Sequence, residues 1–165
     1  MLIDKSIIIH APPRRVYEWL APARQPLWDK SLLRAAHRGA GGTLHEGDLI
    51  DRVSHALGLR FESAAEAVAV EEGRLFAWRQ VEGDYEQHRG AYLLDLASES
   101  DTLLRLIADV DLPYVLPRIV TEAEVEHALS RDADDALFNL KALAEAWEGD
   151  LGEVRVGRPT TKSAS

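Results

Sequence analysis

The sequence predicts an α+β fold: a seven-stranded, curved antiparallel sheet wrapped around one long C-terminal helix, with two short helices after the first strand. Three observations carry this reading. From Ser31 to Leu112 the apolar residues recur mainly at the two-residue period of strands. From Val125 to Trp147 they recur at helical spacing. Near the N-terminus the β-branched run "SIIIH" stops at two prolines, and "RRVYEWL" resumes with the apolar spacing of a helix.

The elements follow in order. Ala11, Pro12 and Pro13 end the first strand, because proline offers no ladder N–H and its fixed φ suits a first helical turn. Val16 and Leu20 lie one turn apart, flanked by Tyr17 and Trp19, so a short helix runs to about Leu20. Pro22 and Pro26 limit the next piece to a brief helical turn around "ARQPLW". Six strands are then predicted at Leu32–His37, Asp48–His55, Arg60–Val70, Leu75–Val81, Tyr85–Leu96 and Thr102–Leu112, with turn signals at "GAGG", "EEGR", "EGD" and "SESD". "SAAEAVAVEE" is rich in alanine, but Phe61, the valines and the flanking turns favour strand. After Pro113 and Pro117, Thr121 and Glu124 have capping-box spacing, and Val125, Leu129, Ala133, Ala136, Leu140, Ala144 and Trp147 mark one apolar stripe. A helix of about 26 residues reaches about 39 Å, enough to cross a whole sheet. Residues 1–149 are expected to form one domain and 150–165 a tail, with a short extended piece at Val154 to Val156.

Composition narrows the function classes. The 165 residues are 46% hydrophobic and 28% charged, ordinary globular values. A net charge of −9 disfavours nucleic acid, whose binding rests on cationic neutralisation of phosphates. The absence of cysteine removes disulfides, thiolate nucleophiles and cysteine metal sites. No apolar run is long enough to span a bilayer, and "MLIDKSIIIH" lacks a basic leader, so a cytoplasmic protein without membrane insertion is expected. None of the six histidines forms an H-E-x-x-H motif, and Glu122 and Glu126 have helical spacing without a histidine partner, so no metal site is expected. "GAGGT" lacks the context and lysine of a phosphate loop, and no G-x-S-x-G elbow occurs. No cofactor is implied, and the oligomeric state stays open.

Strand parity selects the candidate site residues. On Tyr85–Leu96, Tyr92, Leu94 and Leu96 share one face, which also carries His88 and Gly90, while Gln87, Arg89 and Asp95 take the other. His88 and Tyr92 therefore point into the concave interior, either as ligand contacts or as core polar groups satisfying one another or the backbone. A histidine near its reference pKa of about 6.5 would exchange protons at neutral pH. Phe76, Trp78 and Gln80 share a face of the next-door strand, and Trp28 follows the second helical turn; either tryptophan suits a ligand wall or plain core. The strand Asp48–His55 has no clear parity, since Leu49 and Val53 compete with Ile50, so Arg52 or His55 lines the interior. On the last strand Leu104, Leu106, Ala108, Val110 and Leu112 face inward and supply wall.

Several stretches, in this order, resemble the START-like (SRPBCC) helix-grip superfamily, particularly its bacterial polyketide cyclase/dehydratase-like members: "IIIHAPPRRVYEWL", "PLWD", "EGDLIDR", "VEEGRLFAWR" and "NLKALAEAW". The resemblance covers about Lys5 to Trp147 and implies that the two short helices plug one end of an elongated apolar cavity between sheet and long helix. It implies a mostly hydrophobic small-molecule ligand, with Trp28, Arg52, Trp78, His88 and Tyr92 as binding residues. In the enzyme version, His88 and Tyr92 are the catalytic candidates, and one or the other moves protons during aldol closure and loss of water. The alternatives are a non-catalytic carrier or sensor, or a protein-interaction module resembling the co-chaperone-like branch of the superfamily.

Overall fold

The computed structural model describes residues 1–39, 42–112 and 120–147. Strand β1 (Leu2–Ile9) leads through the two prolines into helix α1 (Pro13–Glu18) and a 3₁₀ helix (Pro22–Leu27). Six strands follow: β2 (Leu32–His37), β3 (Leu49–Ala56), β4 (Leu59–Glu71), β5 (Leu75–Gly83), β6 (Gln87–Leu96) and β7 (Thr102–Asp111). Helix α2 (Glu122–Ala146) closes the fold. All seven strands form one antiparallel sheet in the order β1-β7-β6-β5-β4-β3-β2. This is the helix-grip layout: six strands form a meander, and the first crosses to pair with the last, Ile3 facing Ala108 and Ile9 facing Thr102.

The proline junction explains that crossing. Pro13 occupies the first turn of α1, where its missing N–H costs nothing, and the Pro12 carbonyl accepts from the Arg15 and Val16 amides. The buried Thr102 hydroxyl donates to the Ala11 carbonyl at 2.7 Å and ties the junction to the start of β7. Val16, Trp19 and Leu20 then fill the end of the sheet. The second helical piece is 3₁₀, consistent with Pro22 at its start and Pro26 inside it.

Curvature comes from irregular pairing. The ladder slips in β4 between Ala64 and Ala65 and again between Ala67 and Ala69, and in β2 between Leu32 and Arg34. Such slips bend a strand and raise its twist. The alanine-rich stretch is thus a strand, and the longest of the sheet at 13 residues.

Helix α2 has the expected capping box: the Glu124 amide donates to the Thr121 hydroxyl at 3.2 Å, and the Thr121 amide to the Glu124 carboxylate at 2.7 Å. Ala133, Ala136, Leu137, Leu140 and Ala144 are buried, whereas no described residue from Glu122 to Asp132 is. The C-terminal half of α2 therefore makes the core and its N-terminal half roofs the space beside it. Leu96, expected to face inward with Tyr92 and Leu94, is 68% exposed, because it ends β6 at the turn into β7. Pro113, Pro117, the tail 150–165 and the piece at Val154 to Val156 lie outside the described residues.

Candidate functional site

A cavity of about 100 Å³ lies beneath α2 at the open side of the sheet. Arg52 and Ser54 from β3, Trp78 from β5, His88 and Tyr92 from β6, and Asp132 from α2 are on its wall. Ile3, Leu106, Ala108, Val110 and Leu129 supply apolar surface. The family resemblance implies an elongated, mostly apolar cavity; the space is instead small and its lining mixed. An engineered apolar cavity of about 150 Å³ accommodates benzene, so this one takes an aromatic ring once a wall side chain moves aside by a small amount.

The β3 ambiguity resolves in favour of the even positions. Ile50 and Ala56 are buried and Arg52 and Ser54 reach the cavity, because β3 pairs in register with β4, Ile50 facing Ala65 and Arg52 facing Ser63. His55 has the opposite parity and is exposed; its Nε2 lies 3.1 Å from the Lys30 carbonyl at the cavity rim.

Trp78 is the centre of an aromatic group. Its ring centroid lies 5.2 Å from Tyr92, 5.7 Å from Phe76 and 6.1 Å from His88. Two small neighbours make room for it, since Trp78 pairs with Ala67 on one side and Gly90 on the other. A Cβ at Gly90 would stand 2.6 Å from Trp78 Cζ2 and 2.9 Å from the Ile107 carbonyl oxygen. The Arg52 guanidinium sits 5.6 Å from the Trp78 ring centroid, a cation–π distance. Among the described residues, no carboxylate pairs with Arg52 and no group accepts from the Trp78 indole N–H.

His88 and Tyr92 both reach the cavity, and neither hydrogen-bonds to a described residue or to the other. In the free protein the histidine is not poised to exchange protons at neutral pH. Burial, with a smaller contribution from the Arg52 charge, pushes its pKa down to about 3, so the free protein holds a neutral imidazole. Burial likewise raises the Tyr92 hydroxyl far above the usual phenol range and keeps it a donor. Trp28 does not line the cavity. It is fully buried behind Tyr92, edge-on at 6.0 Å, and its Nε1–H donates to the Trp19 carbonyl at 2.8 Å. That bond joins α1 to the 3₁₀ helix, which is a structural task.

Three wall residues are not among the candidates that strand parity selects. The spacing puts Tyr85 inside a strand, but β6 begins at Gln87; Tyr85 instead turns inward, stacks on Phe61 at 5.1 Å and shares a 2.6 Å hydrogen bond with Ser54. Asp29 follows Trp28 in "PLWD", and Asp132 interrupts the apolar stripe between Leu129 and Ala133. An acid one step from a buried helical position was the available signal. Burial is the main cause that raises the Asp132 carboxyl, and the Asp29 charge adds to it.

The comparisons with known proteins agree with this architecture. The family model described as polyketide cyclase / dehydrase and lipid transport matches residues 2–145. A START superfamily protein from Mycobacterium smegmatis superposes with a TM-score of 0.73 at 11% identity, covering 88% of this chain and 97% of that one. The Zhui aromatase/cyclase from Streptomyces sp. R1128 superposes with a TM-score of 0.72 at 16% identity, covering 93% and 99%. The protein TTHA0849 from Thermus thermophilus gives 0.76 at 16% identity, covering 90% and 100%. Identities this low show the fold alone. No curated protein sequence matches the chain. Among the described residues, no helix is long and apolar enough to cross a membrane. A match across nearly all of the described chain, on a sheet that grips a C-terminal helix, places this protein in the polyketide cyclase / dehydrase and lipid transport family.

Proposed function

We propose that the cavity binds a mostly hydrophobic small molecule bearing a carbonyl oxygen, in the manner of a polyketide cyclase/dehydratase. One observation carries the reading: Arg52, His88 and Tyr92 converge on a single half-open cavity, and no hydrogen bond to a described residue occupies them. Unmade hydrogen bonds in a half-buried site suit a ligand that completes them. Because Arg52 makes no hydrogen bond or ion pair with a described residue, its side chain moves aside without breaking one, and the cavity widens at modest cost. A longer molecule would place only its reacting end inside.

The chemistry such an arrangement suits is aldol closure followed by loss of water. Arg52 and Tyr92 donate to a ligand carbonyl oxygen and stabilise the enolate that forms as the neighbouring C–H is deprotonated. Neutral His88 takes that proton, the enolate carbon attacks a second carbonyl of the same molecule, and His88 returns the proton to the alkoxide that forms. In a second cycle His88 removes the remaining α proton and delivers it to the hydroxyl, which leaves as water. The low basicity of His88 in the free protein favours a second reading, a carrier or sensor in which the same groups bind without turnover.

Native mass spectrometry of freshly purified protein, searching for a co-purified small molecule, tests binding. Tyr92→Phe and His88→Ala should weaken that binding more than they lower stability. If chemistry occurs, His88→Ala also lowers turnover at saturating ligand. Undiminished binding by both variants would remove the cavity from the proposal, and turnover that survives both would transfer the chemistry to Arg52.

A further inference from the structure

The charged groups on the cavity wall do not neutralise one another. Arg52 on β3 has no carboxylate within ion-pair distance among the described residues. Asp29, between the 3₁₀ helix and β2, accepts from the Ser31 amide at 3.0 Å and the Ser31 hydroxyl at 2.6 Å, and it pairs with no described cation. Asp132 on α2 makes no hydrogen bond or ion pair with a described residue. His88 is neutral, so apart from His55 at the rim, which with Arg131 acts on Asp132 from the outer side, the wall carries two carboxylates against one guanidinium.

Their positions are ordered. Ser31 and Asp132 also line an outer cleft of about 240 Å³ with Lys30, Asp135 and Asn139, so they stand between the cavity and the surface. Arg52 stands on the sheet side over Trp78, which is 4% exposed and whose indole N–H lacks an acceptor among the described residues. Beyond the effect of burial, the Tyr92 hydroxyl feels Asp29 and Arg52 in opposite senses, so both charges reach the same part of the cavity.

We propose that Asp29 and Asp132 determine the charge specificity of this cavity, excluding a free carboxylate and admitting a neutral carbonyl compound of the same shape with its oxygen toward Arg52. The proposal rests on the cavity being the ligand site. A carboxylate that reaches Arg52 gains one attraction, meets two like charges and loses its hydration in a space that screens little. A ketone keeps the hydrogen bond from Arg52 and meets neither cost. The chain's net charge of −9 acts in the same direction on approach. The acids thus disfavour the competing ligand while the donors hold the accepted one.

Acetophenone and benzoate are matched probes, similar in size and differing mainly in charge at pH 7. Their affinities are measured by calorimetry, with Trp78 and Tyr92 resonances locating the bound probe. In the wild type acetophenone should bind at least about tenfold more tightly than benzoate. In Asp29→Asn/Asp132→Asn benzoate should gain about tenfold or more while acetophenone changes little, and adding Arg52→Gln should abolish the gain. Asp132→Asn alone, which removes no hydrogen bond to a described residue, should give part of the gain even if the double variant folds poorly. Benzoate binding as well as acetophenone in the wild type, or a ratio unmoved by the asparagines, would overturn the charge filter and leave the ligand cavity standing. If neither probe perturbs Trp78 or Tyr92 in any variant, the ligand cavity itself is wrong and the filter falls with it.

Discussion

Gly90→Ala probes the geometry that places Trp78 against the cavity. The added methyl would lie 2.6 Å from Trp78 Cζ2, 2.9 Å from Trp78 Cη2 and 2.9 Å from the Ile107 carbonyl oxygen. Carbon atoms pack best at about 3.5–4.0 Å, so the overlap with the indole is on the order of 1 Å. The backbone at Gly90 does not have a positive φ, so the cost is packing alone. Trp78 cannot retreat freely, being enclosed by Phe76, Tyr92 and His88. Overpacking of this kind costs about 1–3 kcal/mol, and the rigid surroundings favour the upper half of that range. For a chain of this size each kcal/mol moves Tm by about 2–4 °C, so Gly90→Ala should melt about 4–12 °C lower. Calorimetry gives the shift, and tryptophan emission reports the displaced indole. In a Trp78→Leu background the same substitution should cost much less, since only the Ile107 contact persists. A glycine variant as stable as the wild type, or an equal loss in both backgrounds, would refute the account.

Leu140 is fully buried on α2, so Leu140→Asp should cost more than about 4 kcal/mol by leaving an unpaired carboxylate in the core, and an unchanged Tm would contradict that. His88 gives a pH signature. Its pKa of about 3 in the folded protein lies below the ordinary value of 6.5, so only the unfolded chain takes up this proton between those values, and the contribution fully present above pH 6.5 is lost as pH falls. The loss approaches about 1.4 kcal/mol per pH unit. Asp132, whose pKa is raised, works in the opposite sense, so the readout is the difference between wild type and His88→Phe in urea midpoints from pH 7 to pH 5. Equal slopes would mean that His88 is not held neutral. Thr121→Ala removes half of the α2 capping box and should cost about 1 kcal/mol, measured by urea unfolding.

The helix-grip layout is legible in the amino-acid order because the signals involved are local. Period-2 alternation, two prolines after an isoleucine run, a Thr-x-x-Glu cap and a long apolar stripe each act between residues a few positions apart, and their order admits few ways to bury every apolar face. The inward parity of His88, Trp78 and Tyr92 is legible for the same reason. Which face of β3 looks inward is settled by folding, because two competing alternations become one when β4 fixes the register. Folding also moves Trp28 from a ligand wall into the core, where the Trp19 carbonyl, nine residues away, captures its indole N–H. The neutral state of His88 and the gathering of Arg52, Asp29 and Asp132 around one cavity are beyond any local pattern. They depend on desolvation and on distances between β3, β6, α2 and the turn before β2, quantities that exist only after the sheet has closed on its helix.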